Sequence, residues 1–382
     1  MKKKRQKKPK GQLVILLIGM LTGVVDALFI LDYIFTVVGF DIPFSRFMLI
    51  YVLLFAGMIL IVHVQTIIHE VGHLVFGLAS GYRLVSFRVG GLMWVKTEEG
   101  LRLHRLSLAG TGGQCLMEPP EPVDGKLPFV LYNMGGSLMN LISALLFSAL
   151  AFLPGRDSMG TVLLKMLAVG GLGTSLSNGL PLRTSTINSD GSNTLELRRS
   201  KDAARGFWVQ LKVNSAQARG LWLKEMPEDW FRLPDREAMK GSLAASVGVM
   251  AAVRLMEQER FYEAEVLMER LLTEATGTVG VHRGRLGCDR ICCELLTENR
   301  PERLAALLDK EQTRQMTVLR RQLSTLRTWY MLALLRDGDR EKAEKYRTQF
   351  EKLAKNYPYP AELDSERRLI ALADEKYKEE HP

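Results

Sequence analysis

Apolar and polar positions follow different rules in the two halves of the chain. From Leu13 to Phe40 the residues are almost all apolar, with Asp26 and Asp32 as interruptions. A second apolar run follows Arg46, meets no charged side chain before Glu70 and continues to Ala79. A third lies between Lys126 and Arg156, and a fourth runs from about Met159 to Leu182 with Lys165 near one end. At about 1.5 Å per residue, each can cross a hydrocarbon layer of about 30 Å. The pattern predicts four membrane-spanning helices. A single helix over 47–79 would measure on the order of 50 Å, so one end has to project, tilt or be packed in protein.

Residues 82–118 break this pattern. RLVSFRV and LRLHRLSL have the alternation of strands, TEEG between them reads as a turn, and GTGGQ (110–114) is too glycine-rich for a helix. A β-hairpin and loop at the membrane surface is predicted, with an edge that can pair with an extended peptide. Beyond residue 200 the period becomes helical. The stretches LMEQERFYEAE, LLTENRPERLA and ALLRDGDREKAE share a layout. Their turn residues Glu259, Asn299 and Gly338 are 40 and 39 apart, and Ala264, Leu304 and Ala343 each follow the turn by five. Repeated helical hairpins of this kind resemble a tetratricopeptide-like α-solenoid, although the period exceeds the usual length of about 34. A plain helical bundle is the alternative. The expected fold is mainly α: a multi-pass transmembrane helical core with a small β-hairpin insertion, then a soluble, solenoid-like helical domain.

Charge changes the picture at one end. The chain of 382 residues holds 51 Lys and Arg against 42 Asp and Glu, a net charge of +9, and seven of the basic residues lie in the first twelve. The remainder is nearly balanced, which argues against a chain-wide nucleic-acid surface. The N-terminus has the order of a signal peptide but no small-residue cleavage site, so a retained first span is expected. By the positive-inside rule residues 1–12 stay cytosolic. Four spans then place 41–45 and 154–158 outside, and 82–126 and everything after about 200 inside. Three regions follow: a basic N-terminus (1–12), a transmembrane core of about four spans (13–200) and a cytosolic helical domain (201–382). The four cysteines, Cys115, Cys288, Cys292 and Cys293, show no disulfide framework. Cys288 and Cys292 stand four apart, yet no second pair follows, and reduced core cysteines are expected. Trp208, Trp222 and Trp230 are candidate interfacial anchors.

The chemistry concentrates in His69-Glu70-Val71-Gly72-His73. On a helix, residues four apart stand one turn above each other, so both imidazoles can bind one zinc ion. Glu70, about 100° round the helix, can accept a proton from a water that zinc has acidified. Two imidazoles and a carboxylate at the end of an apolar run are costly without such a purpose.

IIHEVGHLVFGL in the second span, GGSLMNLISALL (135–146) in the third and NGLPLRTSTINSDG (178–191) after the fourth resemble the site-2 protease family of intramembrane zinc metalloproteases. The resemblance covers roughly residues 45–197. It implies that His69, His73 and Asp190 are zinc ligands and that Glu70 is the catalytic base. It also implies substrate or transition-state contacts from Asn140 and Asn178, the latter with Pro181. Ser137 stands near the place of a family proline, about five extra residues separate Asn178 from Asp190, and Ser192 replaces a second glycine. From the residues alone, Ser189-Asp190 can equally be a helix N-cap. Asn140 can be helix–helix glue or a donor to a developing oxyanion. Asp26 and His63 come from other depths and are weaker candidates.

The expected function is hydrolysis of a peptide bond in a membrane-embedded or membrane-adjacent protein or peptide. The lipid bilayer is the surroundings, the helical domain has a protein or peptide partner, and no nucleic acid is involved. The rival is a catalytically silent membrane scaffold that recruits a partner through its repeats. A metal transporter would need further ligands along the bundle.

Overall fold

The computed structural model describes residues 11–39, 42–97, 100–106, 112–153, 158–183, 188–275, 277–278 and 280–382. Most of the basic N-terminus (1–10), the centre of the TEEG turn (98–99), residues 107–111, most of the predicted outer loop 154–158 and residues 184–187 lie outside the described residues, as do 40 and 41. The chain forms two units, Met1–Gly90 with Gly110–Leu195, and Gly91–Ala109 with Glu196–Pro382.

The first unit is built on four helices. α1 (Gly11–Tyr33) continues through a π-helical turn, Ile34–Val38, and is followed by α2 (Phe44–Ala79). α3 (Phe129–Ala151) and α4 (Met159–Gly179) complete the set. All four are long and apolar enough to cross a membrane. Local chemistry sets their ends. Pro43 and Pro128 precede α2 and α3, and the Ser158 hydroxyl accepts from Thr161 N to cap α4. α2 stops where Gly81 adopts φ +83° and Tyr82 N donates to Gly77 O.

α2 packs on α3, α3 on α4, and α1 on α4. Leu54 and Ile61 of α2 meet Val162 and Met166 of α4 in a buried cluster. Where α2 crosses α3 the backbones touch: a Cβ on Gly72 would lie 2.7 Å from Met139 Cβ. The outer faces stay apolar, with Leu21, Leu28, Leu60, Val62 and Leu145 all more than half exposed, unlike the surface of a soluble monomer.

Four strands follow α2: β1 (Arg83–Val89), β2 (Leu92–Thr97), β3 (Gly100–Arg105) and β4 (Gly113–Glu118). β1 pairs antiparallel with β4, and β2 with β3. This corrects the single hairpin predicted from sequence, in which 83–89 would face 101–108. LMWVKT is itself a strand, and the glycine-rich end of 110–114 begins β4 because Val89 needs a partner there and finds Gly113.

In the second unit the β2–β3 hairpin buries Met93, Val95 and Leu106 against Tyr357 and Tyr359. That packing groups 91–109 with the C-terminal helices, where the sequence had suggested one boundary near residue 200. α5 (Asp190–Arg199) bridges the two units in sequence. It is followed by α6 (Lys201–Ala218), α7 (Ser242–Glu257), α8 (Phe261–Thr273), α9 (Gly280–Leu296), α10 (Pro301–Leu307), α11 (Lys310–Val318), α12 (Leu323–Met331), α13 (Arg340–Ala354) and α14 (Pro360–Glu380).

The three turn residues read from the spacing, Glu259, Asn299 and Gly338, have φ of 58°, 54° and 64°. Each closes a helical hairpin in the left-handed region. Ala264, Leu304 and Ala343 behind them are all buried. Cys288, Cys292 and Cys293 are free and buried in the same core, and Cys115 is free and buried in β4. Arg327, itself buried, donates to Asp289 at 2.6 Å and pairs with Glu366 at 3.0 Å. Trp208 and Trp230 stack edge-to-face on each other and pack, partly buried, against the Val209–Val213–Leu223 cluster.

One carboxylate of this unit has a measurable consequence. Glu257, at the end of α7, is buried and accepts from Lys224 N at 3.0 Å. Burial pushes its carboxyl up to about 7. An unfolded chain ionises it near 4.5, so the folded form holds the extra proton between those values. This term is therefore fully favourable below about 4.5 and is lost as pH rises towards 7. A Glu257→Gln protein keeps an acceptor for Lys224 N and has no charge to bury. Its stability is expected to exceed wild type at pH 7.5 by about 3 kcal/mol, read as a higher Tm, with the gap closing at pH 4.5. A gap independent of pH would contradict this assignment.

Candidate metal centre

His69 and His73 stand one turn apart on α2, and their Nε2 atoms are 3.1 Å from each other. Asp190, the first residue of α5, brings Oδ2 to 3.2 Å from His69 Nε2 and 3.5 Å from His73 Nε2. Among the described residues these three form a group able to hold a metal ion. The capping alternative for Asp190 is answered locally. Ser192 N donates to the Ser189 hydroxyl, so Ser189 caps α5 and the Asp190 carboxylate turns to the imidazoles.

Each imidazole is oriented from behind. His69 Nδ1 donates to Asn140 Oδ1 at 2.8 Å, and His73 Nδ1 donates to Tyr132 O at 2.7 Å. With the proton on Nδ1, each neutral ring presents a bare Nε2 to the centre. Asn140 is fixed in turn: its amide donates to Gln65 O at 3.0 Å and to Gln65 Oε1 at 2.8 Å. Gln65 Nε2 donates to Leu167 O of α4, so one chain of polar contacts ties α2, α3 and α4. α3 comes this close because it carries no side chain at Gly136, where a Cβ would lie 2.6 Å from His69 Nε2.

The centre thus collects two bare nitrogens and a carboxylate oxygen, all acceptors, with no donor between them. Such a group is repulsive unless a cation or a proton occupies the middle. Glu70 is buried beside the group and within electrostatic reach of His69, His73, Asp190 and Arg88.

Of the residues singled out in the sequence, the structure brings His69, Glu70, His73, Asn140 and Asp190 together. Asn178 is not turned in by its donor, since its amide donates to Thr174 O one turn back in α4. His63 bonds Ile59 O on the exposed side of α2. Asp26 is buried in α1, with Oδ1 lacking a hydrogen-bond partner among the described residues, and it belongs to no metal-holding group. Gln65 and Tyr132 were missed. Gln65 had a signal, an amide four residues before His69 on the same face of an apolar helix.

No protein-family model, no curated protein and no solved structure matches the chain. The geometry of the centre therefore stands alone.

Proposed function

We propose that the chain is an intramembrane zinc metalloprotease acting on a membrane-embedded or membrane-adjacent protein or peptide. One observation carries this reading: three acceptor atoms converge beside a buried glutamate on a helix of membrane-spanning length. Their separations of 3.1, 3.2 and 3.5 Å suit a tetrahedral ion. Bonds of about 2.0–2.2 Å place neighbouring ligand atoms roughly 3.3–3.6 Å apart. Asp190 Oδ2 is also buried with no hydrogen bond, a lone pair left for a cation.

His69, His73 and Asp190 would hold the ion and leave one position open. Zinc there would polarise a scissile carbonyl and acidify a water molecule. Glu70 takes the proton from the attacking water and passes it to the leaving amine. Asn140 keeps His69 in the right tautomer and orientation, the task of a supporting partner behind a ligand.

With the basic N-terminus inside, four spans would put the centre towards the cytosolic face and the C-terminal helices in the cytosol. Those helices, as a tetratricopeptide-like solenoid, would recruit a protein or peptide. Purified in detergent, the wild type is expected to hold about one zinc per chain, and His69→Ala and His73→Ala to hold almost none. Elemental analysis decides it, and stoichiometric zinc in both variants overturns the assignment.

A further inference from the structure

Arg88 lies in β1 and is 1% exposed. Burying a guanidinium costs several kcal/mol unless it is well hydrogen-bonded. Nη1 donates to Gly90 O at 2.8 Å, and Nη2 donates to Gly113 O at 3.0 Å. These carbonyls stand on the two sides of the β1–β4 ladder, where Val89 opposes Gly113 and Gly90 N donates to Gly112 O. The planar fork of one arginine therefore staples the end of β1 to the start of β4.

Gly113 is also the wall behind Glu70. A Cβ at position 113 would lie 2.5 Å from Glu70 Cγ and 2.7 Å from Cδ. The Glu70 side chain rests on bare backbone, and the carbonyl of that same residue is one of the two that Arg88 holds. We infer that Arg88 is a positioning residue for Glu70, fixing the strand end against which the glutamate packs. Its effect on catalysis rests on the proteolytic reading; its coupling to Glu70 does not.

Freeing Gly113 lets the Glu70 carboxylate move, and a misplacement of about 1 Å can slow an oriented step on the order of 10²-fold. Neither Arg88 nor Gly113 belongs to the group able to hold a metal. The test uses the full chain in detergent and a synthetic single-span peptide carrying a fluorophore and a quencher. Arg88→Met is expected to lower kcat about 10- to 100-fold, with KM and zinc content within about twofold of wild type. Arg88→Lys, which keeps the charge but reaches one carbonyl at a time, is expected to fall between. Gly113→Ala, which leaves Arg88 intact, is expected to lower kcat in the same way.

The second readout is the Tm of chelator-treated protein in a double-mutant cycle of Arg88→Met with Glu70→Ala, which removes the side chain that rests on Gly113. The Tm loss from Arg88→Met should be a few degrees smaller when Glu70 is already Ala. Equal losses in the two backgrounds, or an unchanged kcat in both Arg88→Met and Gly113→Ala, would overturn the inference. Absence of any Glu70-dependent cleavage by wild type would instead remove the proteolytic reading, and the Tm cycle would still decide the coupling. If Arg88→Met does not fold, the Arg88→Lys and Gly113→Ala kinetics decide it.

Discussion

Glu70→Gln is expected to fold, to keep its zinc and to lose proteolysis on the order of 10²–10⁴-fold. The amide has the shape of the carboxylate, so it can rest on Gly113 as Glu70 does. It cannot accept a proton from water, and that is the only capacity removed. His69, His73 and Asp190 are untouched, so the metal should stay. Zinc content and cleavage of the labelled peptide, measured on one preparation, separate this outcome from general damage. Zinc-replete protein with near-normal cleavage would mean another base. Asp26, the other buried acid of the apolar helices, lies outside the metal-holding group and is a poor substitute.

Asp190→Asn should do the opposite and empty the centre. The carboxylate supplies the only negative charge among the three atoms that face one another, and an amide offers a weaker oxygen and two donors in its place. Losing a partner behind a metal ligand typically costs 10–100-fold in affinity, so losing a ligand should exceed about 100-fold, with activity falling alongside. Helix α5 should survive because its cap is Ser189. If Asp190 served only the helix end, Asn would be nearly as good. A fully active, zinc-replete Asp190→Asn protein would therefore move the third ligand elsewhere.

The four long apolar helices were legible because hydropathy is a one-dimensional signal. The runs after Leu13 and Arg46, and those around 127–155 and 159–182, reappear as α1 to α4 with shifts of a few residues. His69 and His73 were legible because helical spacing alone puts four-apart side chains on one face. Asp190 was less so, since its approach depends on tertiary structure between α4 and α5: a family resemblance and the need for a third ligand pointed to it, while a helix cap fitted the same residues. The turns at Glu259, Asn299 and Gly338 showed through their spacing. The strand pairing was misread because Leu92–Thr97 is short and Gly113 looks like a loop residue. Only the tertiary neighbour Glu70 explains why a glycine begins β4. Arg88 and Tyr132 carry no local pattern: one acts by clasping two backbone carbonyls and the other by offering its own.

α2 also works as a ruler. Its 36 residues span about 54 Å, and His69 comes about 38 Å after Phe44 along the axis. A hydrocarbon layer of about 30 Å is used up before the ligands are reached. With Phe44 at the outer boundary, as the proposed orientation has it, the centre would sit at the inner rim of the bilayer, where water is at hand and no channel would have to be cut through the lipid. On the proposed reaction the same length would set the register of cleavage: the bond that reaches Glu70 would lie near the cytosolic end of a spanning substrate, and only its last turn or so would have to unwind.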